Sequence, residues 1–133
     1  MEINFDFREE KSGIFGPILR PVAEVTLING NKEILESAYV DSGADVTLIP
    51  KSVGDILGLA VGKNETITEI KGVGERGVPI IIKKVKLKIG EKEIEARVAW
   101  ALIEEVPMLL GRTDIFNLFN ISFEKNRRTN FSE

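Results

Sequence analysis

The sequence predicts a mainly β protein, folded as a closed or nearly closed barrel of short strands with two small helices. The first observation is a series of β-branched segments in which apolar and polar residues alternate, as they do along residues 22–28. The second is the placement of Gly and Asn between these segments, which is typical of tight turns. The third is that only two segments have helical features, so the strands are not separated by helices as an α/β sheet requires.

The predicted elements follow one another closely along the chain. Strands are predicted at residues 3–7, 22–28, 34–40, 46–49, 66–70, 78–89, 93–100, 106–110 and 121–123. The second and third of them form a hairpin, because Asn29 and Gly30 lie between them. Pro50 begins a helix that continues to Leu57 and ends at Gly58. A second short helix is predicted at 115–119, where the apolar residues share one face.

Length and composition bound the class of protein. The 133 residues fit one domain, with a core at about 18–124 and a loosely ordered tail at 125–133. No apolar run approaches the roughly 20 residues of a membrane helix, and the acidic N-terminus is unlike a signal peptide, so we expect a cytoplasmic protein. The net charge of −3 gives no general attraction to nucleic acid. Three basic residues near the C-terminus are interpreted as solvated.

The residues that the chain lacks exclude several kinds of chemistry. The sequence has no Cys and no His, so it has no thiolate or imidazole metal site and no cysteine nucleophile. Serine triads that use a histidine base are excluded for the same reason. Acid–base chemistry must therefore come from carboxylates, lysines or hydroxyls. A metal site made of carboxylates alone has little support, because the acids lack the dense spacing of a calcium loop.

Gly72, Gly74 and Gly77 match the G-x-G-x-x-G pattern of dinucleotide-binding proteins. That pattern needs a helix directly after the glycines, where its N-terminus can face the pyrophosphate. A β-branched run at 78–82 follows instead. We interpret the glycines as the tip of a long β-hairpin that can bend or approach a ligand closely.

Asp41 is the most informative residue of the chain. It directly follows an apolar strand and precedes Ser42 and Gly43. A carboxylate that leaves a β-rich core is partly desolvated, which costs free energy unless neighbouring donors or an opposite charge compensate. Catalysis is one reason for a protein to keep a charge in such a place.

Three motifs occur in an order that resembles the retropepsin family of aspartic proteases. They are Asp41-Ser42-Gly43-Ala44, the glycine-rich hairpin tip, and Leu109-Leu110-Gly111-Arg112 before a short helix. The resemblance covers roughly residues 21–123 and is closer to cellular and prokaryotic members, because a helix follows Pro50 and a tail follows Phe123. It implies a small closed barrel of the acid-protease type, with a flap hairpin and one or two short helices.

The resemblance also implies an activity. Only one D-[ST]-G occurs here, so the family's pair of acids would come from a homodimer that contributes Asp41 twice. The two carboxyls would share a proton and activate a water that hydrolyses peptide bonds in extended or unfolded polypeptides. No metal or cofactor is required, and the expected partners are a second copy of the chain and a polypeptide substrate.

The same resemblance implies roles for the residues next to Asp41 and for one ion pair. Around the acid, Ser42 would hydrogen-bond across the dimer, Gly43 would allow a close backbone approach, and Ala44 would keep the floor of the site small. Asp45 and Arg112 would form a buried or half-buried ion pair whose disruption costs ~3 kcal/mol or more.

The substrate would lie between the acid and the flap. Gly72, Val73 and Gly74 would form the flap tip over it. Apolar subsites are expected from Ala44, Val46, Leu48, Val73, Ile80 and Leu110.

A different class of function stays open at this point. A barrel without activity could keep this fold as a dimerisation or peptide-binding module, with Asp41 retained for loop structure. The intact Asp41-Ser42-Gly43-Ala44 motif and the glycine-rich hairpin tip favour the enzyme, because a pure scaffold would be free to lose either.

Overall fold

The computed structural model describes residues 1–72 and 76–133, and strands dominate this part of the chain. In chain order the strands are Glu2–Asp6 (β1), Arg8–Ser12 (β2), Gly16–Arg20 (β3), Val22–Asn29 (β4), Lys32–Val40 (β5), Thr47–Ile49 (β6), Thr68–Ile70 (β7), Val78–Ile89 (β8), Lys92–Ala101 (β9), Leu109–Leu110 (β10), Asn120–Glu124 (β11) and Arg128–Ser132 (β12). One helix, Lys51–Ile56 (α1), is assigned in these residues. No helix here is long and apolar enough to cross a membrane.

Seven strands form one sheet in the order β4-β5-β10-β6-β9-β8-β7. Strand β4 also pairs with β8, so the six strands from β4 to β8 close into a barrel and β7 extends it beyond β8. Side chains alternate between the inside and the outside of this barrel. Along β8, Val85 and Leu87 are buried while Lys84 and Lys86 are exposed. The prediction of a mainly β, closed barrel is confirmed.

Trp100 fixes the helix against the barrel. Its side chain is 1% exposed, and its indole Nε1 donates a hydrogen bond to the carbonyl of Lys51, 3.2 Å away. The Gly54 backbone lies so close to the ring that an added Cβ would be 2.1 Å from Nε1. A glycine inside a helix is usually unfavourable, but here only a glycine lets α1 lie flat on the indole.

The chain ends form a second, three-stranded sheet in the order β1-β12-β11. Phe131 lies in the central strand, is fully buried, and makes edge-to-face contacts with Phe5 and Phe119 at centroid distances of 5.8 and 5.4 Å. These rings belong to the same apolar cluster as the barrel interior. The terminal sheet is therefore packed onto the barrel.

The expectation of a loose tail at 125–133 is wrong for β12. Lys125 and Asn126 have φ values of 49° and 56°, which let a tight turn reverse the chain after β11. The returning strand then pairs with β1 and β11 along its whole length. The sequence of β12 is short and mostly polar, so it shows no apolar alternation, although Phe131 is fully buried in the core.

The second predicted helix is also wrong. Residues 113–118 form a series of hydrogen-bonded turns. Asp114 has a φ of 68°, which a helix does not tolerate, and its carboxylate accepts hydrogen bonds from Nε, Nη2 and the backbone N–H of Arg97. These bonds from Arg97 lower the pKa of Asp114 well below its ordinary value. Residues 113–118 are therefore turns, and Asp114 connects them to β9.

Strands β2 and β3 form a hairpin that sequence patterns did not predict. It is a separate two-stranded sheet, paired in register from Arg8 opposite Arg20 to Ser12 opposite Gly16. Most positions of β2 are charged, so the apolar alternation that marks other strands is missing.

Candidate active site

Asp41 emerges from the barrel where β5 meets β10. The backbone N–H of Tyr39 donates to the carbonyl of Met108, and that of Asp41 donates to the carbonyl of Leu110, both at 3.0 Å. The end of β5 is thus held by the inserted two-residue strand β10, which runs parallel to it. The backbone that carries the acid is fixed before the chain enters the loop.

Gly111 makes this insertion possible. Its N–H donates to the buried hydroxyl of Thr47 at 3.0 Å. A Cβ at this position would lie 2.4 Å from the carbonyl carbon of Val46, so only glycine fits without a shift of the backbone. The glycine of the Leu-Leu-Gly-Arg motif therefore has a steric function beside the loop of residues 41–46, which is called the active loop below.

The loop after β5 folds around the carboxylate of Asp41. The N–H of Gly43 donates to Oδ1 at 2.9 Å, and the N–H of Ala44 donates to the Asp41 carbonyl at 3.2 Å. An added Cβ on Gly43 would lie 3.2 Å from Oδ1, a tight contact. Ser42 is exposed and uses its carbonyl to accept a hydrogen bond from Arg112 Nη1 at 3.4 Å.

Asp41 is half-buried and has no cation partner in the part of the chain that the structure describes. Within residues 1–72 and 76–133, no Lys or Arg lies within ion-pair distance of its carboxylate. The same residues contain no group of three or more acids that could hold a metal ion. Asp41 Oδ2, which accepts no hydrogen bond from the described residues, is therefore open to a water or another acid.

A cleft of about 490 Å³ opens beside Asp41. Its apolar lining comes from the loop after β5, from strands and from the loop before β10, namely Ala44, Val46, Leu48, Ile70, Val78, Val106, Pro107 and Leu109. Gly72 is at its edge, together with Lys71. The other two predicted flap residues, Val73 and Gly74, lie outside the described residues.

Two of the predicted subsite residues do not reach this cleft. Leu110 is fully buried in the main apolar cluster, whereas Ile80 is 2% exposed and lies in a smaller cluster with Leu48. Val78, two residues before Ile80 on the same strand, and Leu109, directly before Leu110, line the cleft instead. Adjacent residues of a strand point to opposite faces, and a two-residue strand carries no alternation from which the face can be read.

Asp45 and Arg112 form an ion pair between the active loop and the segment after β10. Their side chains are 85% and 51% exposed, so the expectation of a buried or half-buried pair is wrong for the single chain. An exposed pair of this kind contributes about 0–1 kcal/mol, well below the ~3 kcal/mol expected for a desolvated one. Backbone hydrogen bonds from Arg112 to Ala44 and from Thr113 to Asp45 tie the same two segments together.

The closed barrel, with an acid loop at the end of β5 and a two-residue strand inserted beside it, is a retropepsin-like aspartic protease fold. Among solved structures the chain is similar to "EIAV protease complexed with the inhibitor HBY-793", with a TM-score of 0.58 and 23% sequence identity. The match covers 82% of this chain and 94% of that one, and it shows the fold. No protein-family model and no curated protein matches the chain.

Proposed function

We propose that this protein is a homodimeric aspartic endopeptidase that hydrolyses peptide bonds in extended or unfolded polypeptides. The observation that carries the proposal is the placement of Asp41: a half-buried carboxylate, held by the Gly43 N–H, on the wall of an apolar cleft. The likeness of the fold to a viral protease supports the same function.

The need for a second copy follows from the acids of the cleft. Asp41, Asp45 and Glu105 are the carboxylates that line it among the described residues. Asp45 is engaged by Arg112, and Glu105 lies in the loop before β10 rather than in the active loop. A two-fold axis beside Asp41 would supply an equivalent acid in an equivalent setting.

The pair of Asp41 carboxyls would hold a single proton, since two carboxylates in contact do not both ionise cheaply. The ionised carboxyl takes a proton from the bridging water as the water oxygen attacks the carbonyl carbon of the peptide bond. The protonated carboxyl stabilises the developing oxyanion. When the C–N bond breaks, a proton passes to the leaving nitrogen, and a carboxylic acid and an amine are released.

The cleft suits a polypeptide in extended form. Val46, Leu48 and Leu109 provide apolar surface for side chains next to the cleaved bond. Strand β7 and the start of β8 bring Ile70 and Val78 to another part of the cleft walls. An extended segment between these walls can add to strand edges through main-chain hydrogen bonds, so specificity would rest on apolar side chains.

The deciding experiment compares wild type with Asp41→Asn on a denatured protein substrate over a range of mildly acidic pH. We expect the variant to fold and to dimerise but to lose at least about 100-fold in activity, because it removes the acid–base group. Asp55→Asn is the matched control, since Asp55 is an exposed acid on α1 whose one ion pair among residues 1–72 and 76–133 is with Lys51. A bell-shaped pH profile is expected for a pair that holds one proton.

Four results would contradict the proposal. Undiminished cleavage by Asp41→Asn would exclude this acid, and an active species that is monomeric by sedimentation would exclude the shared site. Loss of cleavage on addition of a chelator would indicate a metal-dependent hydrolase instead. A dimer that binds unfolded polypeptide without cleaving it would identify a binding module.

A further inference from the structure

We propose that the β2–β3 hairpin, called the arm below, docks on a second copy of this chain and holds the dimer together. The inference rests on the proposed function, because that function places a two-fold axis beside Asp41. It goes beyond it by assigning the contact that stabilises the assembly.

The arm is poorly supported by its own chain. Its two strands pair only with each other, and no other strand of the described residues forms a backbone ladder with them. A two-stranded hairpin is marginally stable in water unless something covers one of its faces. Among the described residues, no residue of the arm belongs to the apolar clusters in which the other two sheets take part.

The tip of the arm presents apolar side chains to solvent. Ile14 is 84% exposed and Phe15 is 77% exposed, the two highest values among the large apolar residues described. Their backbone N–H groups donate to the Ser12 hydroxyl at 3.1 and 3.2 Å, and Gly16 has a φ of 69°, so the turn is well formed. A structured turn that holds an aromatic and an aliphatic side chain in water is typical of a docking element.

The root of the arm is anchored to the strand that carries the acid. The Tyr39 hydroxyl donates to Glu10 Oε2 at 2.6 Å, and the Arg8 guanidinium lies 5.2 Å from the centre of the Tyr39 ring. Arg20 completes this cluster through an ion pair with Glu10 at 3.1 Å. Tyr39 is only two residues from Asp41, so the root of the arm lies next to the active loop.

The second copy fits this geometry better than an unrelated partner does. Glu10 and Arg20 line one cleft of about 410 Å³ together with Asp41. A two-fold axis that brings two Asp41 side chains together must therefore pass close to the root of each arm. The arm's five-residue strands extend about 17 Å from there, long enough to lie against the other subunit.

The test replaces the tip with polar residues in the full-length chain. We expect Ile14→Ser combined with Phe15→Ser to raise the dimer dissociation constant at least tenfold in sedimentation experiments. The matched control is Leu35→Ser combined with Ile82→Ser, since these side chains are also 61% and 49% exposed but lie on barrel strands. The control should change the constant less than twofold.

Activity then distinguishes the arm from the catalytic proposal. The tip variant should lose cleavage activity at low protein concentration and recover it when the concentration is raised, because Asp41 and its loop are intact. A tip variant that dimerises like wild type, or a control that is weakened equally, overturns the arm's role while Asp41-dependent cleavage stands. Activity that survives Asp41→Asn overturns the catalytic proposal instead.

A second measurement does not depend on weakening the dimer. The chain has no cysteine, so Phe15→Cys provides one attachment point for a photo-crosslinker at the tip. Irradiation should join two chains, which mass spectrometry can verify in a mixture of isotope-labelled and unlabelled protein. Leu35→Cys should give no such product, and absence of inter-chain crosslinks from Phe15→Cys would overturn the proposal.

Discussion

At the scale of single residues, Gly111 shows how tightly the active loop is built. Its missing side chain lets the segment after β10 pass directly against the backbone of Val46. We predict that Gly111→Ala lowers the free energy of unfolding by about 2–3 kcal/mol, because the backbone must move to admit a methyl group. Urea unfolding measures the loss.

The control for this variant is Gly13→Ala, where an added Cβ meets nothing within 4 Å. That change should alter the free energy of unfolding by no more than about 0.5 kcal/mol. If both alanine variants were equally stable, the close approach at Gly111 would have no energetic role.

The residues of the candidate site could be predicted only in part. The Asp41-Ser42-Gly43-Ala44 motif identifies the loop, because a strand that ends in an acid and a glycine is a local pattern. The exposure of the Asp45–Arg112 pair could not be predicted, since it depends on which distant segments cover it. The choice of Leu109 rather than Leu110 for the cleft depends on the register of β10 against β5 and β6.

At the scale of elements, the arm should respond to pH through Glu10. The hydrogen bond from Tyr39, helped by Arg8 and Arg20, lowers the pKa of Glu10 below its ordinary value of 4.5. The anchor is therefore fully present above pH 4.5 and is lost as the pH falls through the lowered pKa. Tyr39→Phe removes the same hydrogen bond at neutral pH.

We predict faster amide exchange in residues 8–20 of Tyr39→Phe at pH 6, with no change in strands β8 and β9. Glu9→Gln is the control, because Glu9 is exposed and next to the anchor in sequence. Equal exchange in Tyr39→Phe and wild type would mean that the arm is held by other contacts.

Elements with strong alternation were predicted well. Val78–Ile89 forms one strand with the expected bounds, because its apolar face builds the barrel interior. Three elements could not be read from local patterns: the arm is mostly charged, β12 has one buried phenylalanine, and turns occupy residues 113–118 in place of the expected second helix. In β12 and in the turns, contacts with residues distant in sequence accompany the local structure.

At the scale of the whole molecule, Phe131 joins the terminal sheet to the barrel. It is fully buried between Phe5 and Phe119. We predict that Phe131→Ala lowers the free energy of unfolding by about 3–5 kcal/mol, since truncation of a buried aromatic residue leaves a cavity. Phe123→Ala is the control, because Phe123 is 45% exposed in the same sheet and should cost much less.

Chemical denaturation with matched probes checks this prediction. A Phe131→Ala protein as stable as wild type would show that the terminal sheet is not part of the barrel's cooperative unit.

The burial of Trp100 has a practical consequence for all of these measurements. The chain contains one tryptophan, enclosed between α1 and the barrel, and one tyrosine, at the root of the arm. Indole emission therefore reports on barrel integrity, while ring resonances of the single tyrosine report on the arm. One unlabelled sample can show whether the two regions come apart together or in succession.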